Sequence, residues 1–468
     1  MFCKRKRFDR IKIKDITEDS IMWEGWGTSL CWWAHHIGKL GDDELKNGLS
    51  NLLWGKGHDS LELNIVRYNI GGGSNPNDIE VLRQGGDIPE YKKGVDGQLS
   101  FLKKAKVLND DIIVEVFGNS PPWYMTKNGK VTGNKNRIMS NIKDECIDDY
   151  AKYLVDVIKD LKNEEGILVK SVSPMNEPSS PTWVPGNVQE GCYWGPITRR
   201  RMFKVLKEKL DVSLIEVCIS GCEENNMLQG FLGLVCEIKE ISKINVHSYR
   251  LMQFTDKINT FGIEDNDIFR YFIRHFANKR DQVVWMSEWG SSNSALTESK
   301  FIFGKGSKEM DIEDAINISL KIIRDIVILR ANAWVYWQAI EDINSKWGLI
   351  QVSFDNLRGY KLTRQYWGMC HFTKFIKGGD VIVDGRYNKD SVSYMIVRKK
   401  KGLVIVIVNV SESVDISFMI GNTRGYNVYE TYDDVNLEIT RNVCISDGII
   451  EHTIKERSIT TLEIINER

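Results

Sequence analysis

Two glutamates in this chain stand where a strand-like run gives way to a polar loop. Glu177 lies in "SVSPMNEPSS" (Ser171 to Ser180) and Glu288 in "WMSEWG" (Trp285 to Gly290). Apolar residues precede both, so each carboxylate belongs to the wall of a core rather than to a solvated helix face. Burying such a group costs several kcal/mol unless it is paired or protonated. Two of them brought together separate in proton affinity, one ionised and one neutral. That pairing suits cleavage of a glycosidic bond. With the carboxyls about 5 to 5.5 Å apart, one attacks the anomeric carbon, the other protonates the leaving oxygen, and configuration is retained. Pro178 removes a backbone donor directly after Glu177, while Asn176 can offer an amide to a sugar hydroxyl. An ordinary strand-end turn with a solvated glutamate is the competing reading of "NEP" alone; the second glutamate, in "SEWG", turns the balance toward chemistry.

Spacing along the chain leaves the distance between the two glutamates to the fold. Eight segments share one character, a short β-branched or aromatic run that ends in polar or glycine residues. They are "MWEGWGTSL" from Met22, "LNIVRYNIGGG" from Leu63, "DIIVEVFGNSPP" from Asp111, "LVKSVSPMNEP" from Leu168, "IEVCISGCEE" from Ile215, "INVHSYR" from Ile244, "QVVWMSEWGSS" from Gln282 and "NAWVYWQAIED" from Asn332. Between them lie stretches long enough for a helix and a loop. Ile142, Cys146, Tyr150, Leu154, Val157, Ile158 and Leu161 form one apolar stripe at helical spacing, and Ile316, Leu320, Ile323 and Val327 form another. Strand alternating with helix eight times is the signature of a (β/α)8 barrel, with a doubly wound open sheet as the alternative. In such a barrel the C-terminal strand ends face one mouth, where chemistry sits. After about Phe375 the pattern turns to period-two runs with short turns, which reads as an antiparallel β-sandwich. The expected division is a catalytic barrel over 20–375 and a sandwich over 376–468, joined by an N-terminal strand at 8–16.

Composition narrows the function classes. The chain has 468 residues, 42% apolar and 27% charged, with 63 basic against 64 acidic side chains, which describes a soluble globular protein without a bias toward polyanions. The basic runs at Lys4 to Arg7, Arg199 to Arg201 and Lys399 to Lys401 lack the aromatic interleaving of a nucleic-acid surface. No apolar run approaches the roughly 18 residues of a spanning helix. "KRKR" is followed by no apolar stretch of a signal peptide, so a cytoplasmic location is expected. The 9 cysteines form no CxxC pair, and reduced, mostly buried thiols are expected. "GWGTSL" fails as a dinucleotide fingerprint because Leu30 holds the third glycine position, and "GGGSN" lacks the lysine of a phosphate loop. No HExxH or GxSxG occurs, so neither a zinc site nor a serine hydrolase elbow is expected.

"GWGTSLCWWA", "SPPWYM", "NEP", "HSY", "SEWG" and "WVYWQ", in this order from about Trp23 to Trp367, together resemble glycoside hydrolase family 30, within the clan of retaining (β/α)8 hydrolases. The opening "EGWGTSLCWWA" is most similar to the endo-β-1,6-galactanase group of that family. The resemblance implies Glu177 as general acid/base and Glu288 as nucleophile. It implies Asn176 on the sugar 2-hydroxyl, Tyr249 against the nucleophile, His247 on the same wall, and Arg67 near Glu288 to keep it ionised. Trp33, Trp123, Trp289 and Trp337 are candidate stacking platforms for sugar rings, Trp337 as the floor of the cleaved-sugar subsite with a cis peptide after it. Glu223, ending the fifth strand, is a further candidate for a hydroxyl contact. The expected function is a retaining endo-β-1,6-galactanase that needs no cofactor or metal and acts as a monomer on an oligo- or polysaccharide. An exo-acting β-glucosidase, β-xylosidase or β-fucosidase is the alternative, and a carbohydrate-binding barrel without catalysis is the alternative from another class. Neither a nucleic-acid nor a membrane partner is expected.

Overall fold

The computed structural model describes residues 6–73, 97–249, 267–290 and 312–465, apart from positions 8, 9, 14, 18, 188, 236–238, 346, 421–424 and 445–447. Eight strands close a barrel: β1 (Gly25–Ser29), β2 (Ile65–Asn69), β3 (Ile113–Phe117), β4 (Ser171–Ser173), β5 (Cys218–Glu224), β6 (Lys243–His247), β7 (Val284–Trp289) and β8 (Ala333–Gln338). Neighbours in sequence are neighbours in space, every pairing is parallel, and β8 closes on β1. All eight segments singled out above are its strands. Each residue of β1, β2, β4, β7 and β8 is buried, because a parallel barrel is covered by its helices outside and by its own side chains inside.

The helices obey local rules. Ile147–Glu165 begins with Asp148 and Asp149 in its first turn and stops at Gly166, whose φ of 67° suits a residue without a Cβ. Its buried stripe holds Tyr150, Leu154, Val157, Ile158 and Leu161. The expected stripe began earlier: Ile142 instead bridges Thr126, and Cys146 ends a 3-10 turn, so the helix starts one turn later. Asp42 caps Asp43–Trp54 by accepting from the Leu45 N–H, and Thr363 caps Arg364–Thr373 in the same way.

Inside the barrel the side chains are layered. At the N-terminal end Ile65, Trp285, Ala333 and Val335 form a small apolar plug. Gly27 leaves room for it, since a Cβ there would lie 2.7 Å from the Ile65 Cβ. Above the plug comes a polar layer of Arg67, Glu115, Glu223, Lys243 and Asn245, all buried. The C-terminal ends of the strands form the mouth.

Beyond the barrel, a seven-stranded sheet runs in the order Val435–Cys444, Gly425–Tyr432, Ser458–Ile465, Gly402–Asn409, Val392–Lys399, Val381–Arg386 and Ile21–Met22. Its strands Val392–Lys399 and Gly402–Asn409 are apolar on both faces. Val392, Tyr394, Ile396, Leu403, Ile405 and Ile407 pack on a second sheet, built on Val414–Met419 and Ile449–Ile454, whereas Met395, Val397, Val404, Val406 and Val408 join the core shared with the barrel. The short strand Ile11–Lys12 pairs with Phe418–Met419 on that second sheet. Buried His371, on the helix Arg364–Thr373, bonds Thr461 and Thr431 of the seven-stranded sheet at 2.8 Å each.

Candidate active site

Glu177 and Glu288 meet across the barrel mouth. A carboxylate oxygen of each, with a ring nitrogen of His247, lie within 4.8 Å of one another. Both side chains are nearly buried, at 7% and 3% exposed. Glu288 projects inward from β7 and accepts a hydrogen bond from the Tyr249 hydroxyl at 3.2 Å and from Arg67 Nη1 at 3.4 Å. Glu177 sits just past β4 with a φ of 42°, a left-handed conformation that costs a non-glycine residue about 1–3 kcal/mol. The backbone around it enforces that bend. Its N–H donates to the Glu223 carbonyl (2.7 Å), and its carbonyl accepts from Trp183 Nε1 (2.8 Å) and the Ser180 N–H (2.9 Å). Asn225 Nδ2 donates to its carboxylate at 2.7 Å.

Beneath the pair lies a buried ionic network. The Arg67 guanidinium reaches Glu115 (2.9 Å), Glu223 (2.8 Å), the Ser287 carbonyl (3.0 Å) and Glu288. Glu115 also accepts from Lys243 (2.5 Å), Ser171 (2.6 Å), Ser220 (2.8 Å) and Asn245 (2.8 Å). Glu223 takes Asn245 (2.6 Å), Ser287 (2.9 Å) and His247 Nε2 (2.9 Å) besides Arg67. Its expected contact with a sugar hydroxyl is therefore not what the structure places there: its oxygens are occupied by the floor of the site.

Four carboxyls (Glu115, Glu177, Glu223, Glu288) face three bases (Arg67, Lys243, His247), so one proton on the carboxyls would leave the cluster neutral. Burial acts against the His247 cation, but the Glu288 charge and the bonds to Glu177 and Glu223 outweigh it and push His247 up to about 10. Burial also works to raise Glu223, yet Arg67 and His247 hold its carboxyl well below the usual carboxylate range. Glu288 is pushed up to about 7, by burial first; His247 and Arg67 pull it back while the charge of Glu177 adds to the rise. Among the described residues Glu177, His247 and Glu288 are the one group spaced to hold a metal ion. His247 Nε2 is taken up by Glu223, and its Nδ1 faces the carboxylates of Glu177 (3.4 Å) and Glu288 (3.6 Å).

The remaining residues expected at the site divide. Asn176 is fully buried beside Glu177 with neither amide atom bonded. Trp337, on β8, groups with Phe117 and Cys31, and Trp32 meets it edge-on at 5.9 Å. Trp123 stands on a 3-10 turn after β3, 40% exposed, against Tyr124. Trp33 and Trp289 do not line the mouth. Trp33 is buried against Phe101 with its N–H on the Ser29 carbonyl, on the helix side of the barrel. Trp289 packs on the outer side of the wall against Trp334 and Tyr336, beyond a register shift in β7 between Met286 and Glu288. The peptide after Trp337 is trans; β8 re-aims its end by a register shift between Tyr336 and Gln338 instead, and the cis bond is Gly221–Cys222. Sequence reasoning missed Asn225 and Trp347. Trp347 reaches Tyr249 (6.3 Å) and the backbone of Gly290 from the loop beyond β8, and its one signal was an aromatic among polar residues.

Known proteins place this geometry in context. Residues 9–230 match the family described as O-Glycosyl hydrolase family 30. The chain is 28% identical over 461 residues to an endo-beta-1,6-galactanase of Hypocrea rufa, covering 91% of this chain and 86% of that protein. It is 22% identical to an exo-beta-1,6-galactobiohydrolase of Bifidobacterium longum subsp. longum, over 71% of this chain and 28% of that protein. The catalytic domain of GH30 xylanase C from Talaromyces cellulolyticus superposes with a TM-score of 0.69 at 16% identity, covering 98% of this chain and 100% of that one. The resemblance to family 30 is borne out by these matches.

Proposed function

We propose that this glycoside hydrolase, similar to family 30 in fold and in its N-terminal half, cleaves β-1,6-galactan side chains or oligosaccharides internally and with retention. The observation that carries the mechanism is the approach of Glu177 and Glu288 to within 4.8 Å. An inverting pair would stand about 6.5–9.5 Å apart to admit a water behind the sugar. In the first step Glu288 attacks the anomeric carbon while Glu177 gives its proton to the departing oxygen, forming a glycosyl ester. In the second, Glu177 takes a proton from water, the water oxygen bonds to the anomeric carbon, and Glu288 leaves as carboxylate. The donors favour this assignment. Tyr249 and Arg67, which cannot surrender its proton, both address Glu288 and hold the charge there. Asn176, with both amide atoms vacant, would take the 2-hydroxyl, and Trp337 would floor the subsite.

The sugar and linkage rest on the two curated relatives, both of which act on β-1,6-linked galactose by their names. Internal cleavage rests on the first of them, which the chain covers nearly end to end. Incubation with β-1,6-galactooligosaccharides, followed by proton NMR and product sizing, tests the proposal. It expects a β-configured first product and a spread of oligosaccharide lengths. An α-configured product would overturn retention; a single short product from the outset would replace endo by exo action. Turnover of aryl β-glucosides, xylosides or fucosides without turnover of galactosides would overturn the substrate.

A further inference from the structure

The mouth of the barrel is not uniformly satisfied. At the end of β5 Glu223 takes four donors, while the Asn245 oxygen on β6 has none. Past β3 a whole amide is vacant. Asn119, just past β3, is fully buried, yet neither its amide oxygen nor its nitrogen has a partner. The Asn69 oxygen at the end of β2 is likewise unbonded. Vacant buried amides are few in native proteins and each costs about 1–3 kcal/mol, so a full pair on one side chain points to a ligand that supplies the missing bonds.

The direction of Asn119 follows from its neighbours. Phe117 faces the barrel interior, its ring 4.2 Å from the Arg67 guanidinium carbon and 6.5 Å from the Trp337 ring. Gly118 extends the ladder, donating to the Ser173 carbonyl at 3.0 Å, and a Cβ on it would lie 2.3 Å from the Tyr150 hydroxyl on the outer helix. Inward at Phe117 and outward at Gly118, the alternation turns Asn119 inward again, next to the end of β4 where Asn176 and Glu177 stand.

We infer that Asn119 is a second sugar-binding amide, which holds the neighbouring hydroxyls at C3 and C4 of the ring whose anomeric carbon lies between Glu177 and Glu288. A ring fixed at C1 by the two glutamates and at C2 by Asn176, after β4, carries its next carbons toward β3, the adjoining strand. One vacant donor and one vacant acceptor fit two adjacent hydroxyls, one accepting and the other donating. The Phe117 and Trp337 rings close the apolar side of the same space. The inference rests on the proposed role of Asn176.

Asn119→Ala and near-isosteric Asn119→Leu test it, with kcat/KM measured on the aryl β-glycoside that the enzyme cleaves best and on its 3-deoxy and 4-deoxy analogues. The expected result is a fall of about 10²-fold for the parent glycoside, the loss of two hydrogen bonds. The wild-type preference for the parent over the deoxy analogues disappears in both variants. Melting temperature stays level or rises, because the amide has no partner in the fold to lose. Unchanged discrimination in the variants, or a melting temperature lowered by several degrees with kcat/KM intact, overturns the inference. Asn176→Ala against the 2-deoxy analogue separates the two levels. If that variant loses its discrimination and the Asn119 variants do not, only Asn119 is wrong; if neither does, the reading of the whole subsite falls.

Discussion

Replacing Tyr249 by phenylalanine probes where the negative charge of the catalytic pair resides. The Tyr249 hydroxyl is 3.2 Å from Glu288, longer than the usual 2.7–2.8 Å of such bonds, so it sits at the weak end of the about 1.5–3 kcal/mol for a bond to a charged group. Burial and the Glu288 charge raise the phenol well above its ordinary range, which keeps it a donor at every working pH. Losing about 1.5 kcal/mol of stabilisation of the carboxylate raises the proton affinity of Glu288 by about one pH unit. The reaction needs Glu288 as carboxylate and a proton on its partner, so kcat/KM against pH is a bell whose acid limb follows the Glu288 carboxyl, pushed up to about 7 by burial. With the charge on Glu288, Tyr249→Phe destabilises the active form against the doubly protonated one and leaves its loss of the Glu177 proton unaffected. The acid limb rises by about one unit, the alkaline limb stays, and the bell narrows. Profiles from about pH 4 to 9 on an aryl β-glycoside decide it. An alkaline limb that moves while the acid limb stays would put the active charge on Glu177 and exchange the two roles.

Further outcomes follow from the same geometry. Glu288→Ala lowers turnover by at least about 10⁴-fold with an unchanged circular dichroism spectrum; near-normal turnover would remove it from the chemistry. Glu177→Ala slows substrates with poor leaving groups by about 10²–10⁴-fold and dinitrophenyl glycosides far less; equal losses for both would contradict its role as acid. His371 is buried and held neutral, lowered to about 3 from an ordinary 6.5, so it gains a proton only on unfolding; its contribution is present above about 6.5 and is lost as pH falls toward 3. Urea unfolding at about pH 7.5 and 5 should show about 2 kcal/mol less stability at the lower pH from this group, a difference absent in His371→Gln. Chelating agents leave turnover unchanged, since both steps are carried by the two carboxyls and a water; activity lost on chelation and restored by a divalent cation would contradict this.

The sequence carried the frame of the molecule because each barrel strand marks its own end, an apolar run stopping at polar or glycine residues, and a parallel barrel puts all those ends at one mouth. Glu177 and Glu288 were legible for that reason. Side-chain direction was harder. Trp289 faces outward beyond an irregularity in β7 that leaves Ser287 and Glu288 both inside, and Trp33 turns on the angle at which the first helix leaves β1. The role of Glu223 depends on Arg67, Asn245, His247 and Ser287, which come from three different strands, and no local pattern announces such a convergence. Asn225 and Trp347 reach the site along loops whose course is set by tertiary packing. The unbroken apolar run in "GLVIVIVNV" signals burial on both faces, but only the fold shows that one face meets the barrel and the other a second sheet.

The most direct measurement is to trap the intermediate with a dinitrophenyl 2-deoxy-2-fluoro-β-galactoside and locate the label by peptide mass spectrometry. A time-dependent loss of activity with one fluorosugar esterified to Glu288 is the predicted result. A label on any other residue, or inactivation of the Glu288→Ala variant at the wild-type rate, would contradict the account.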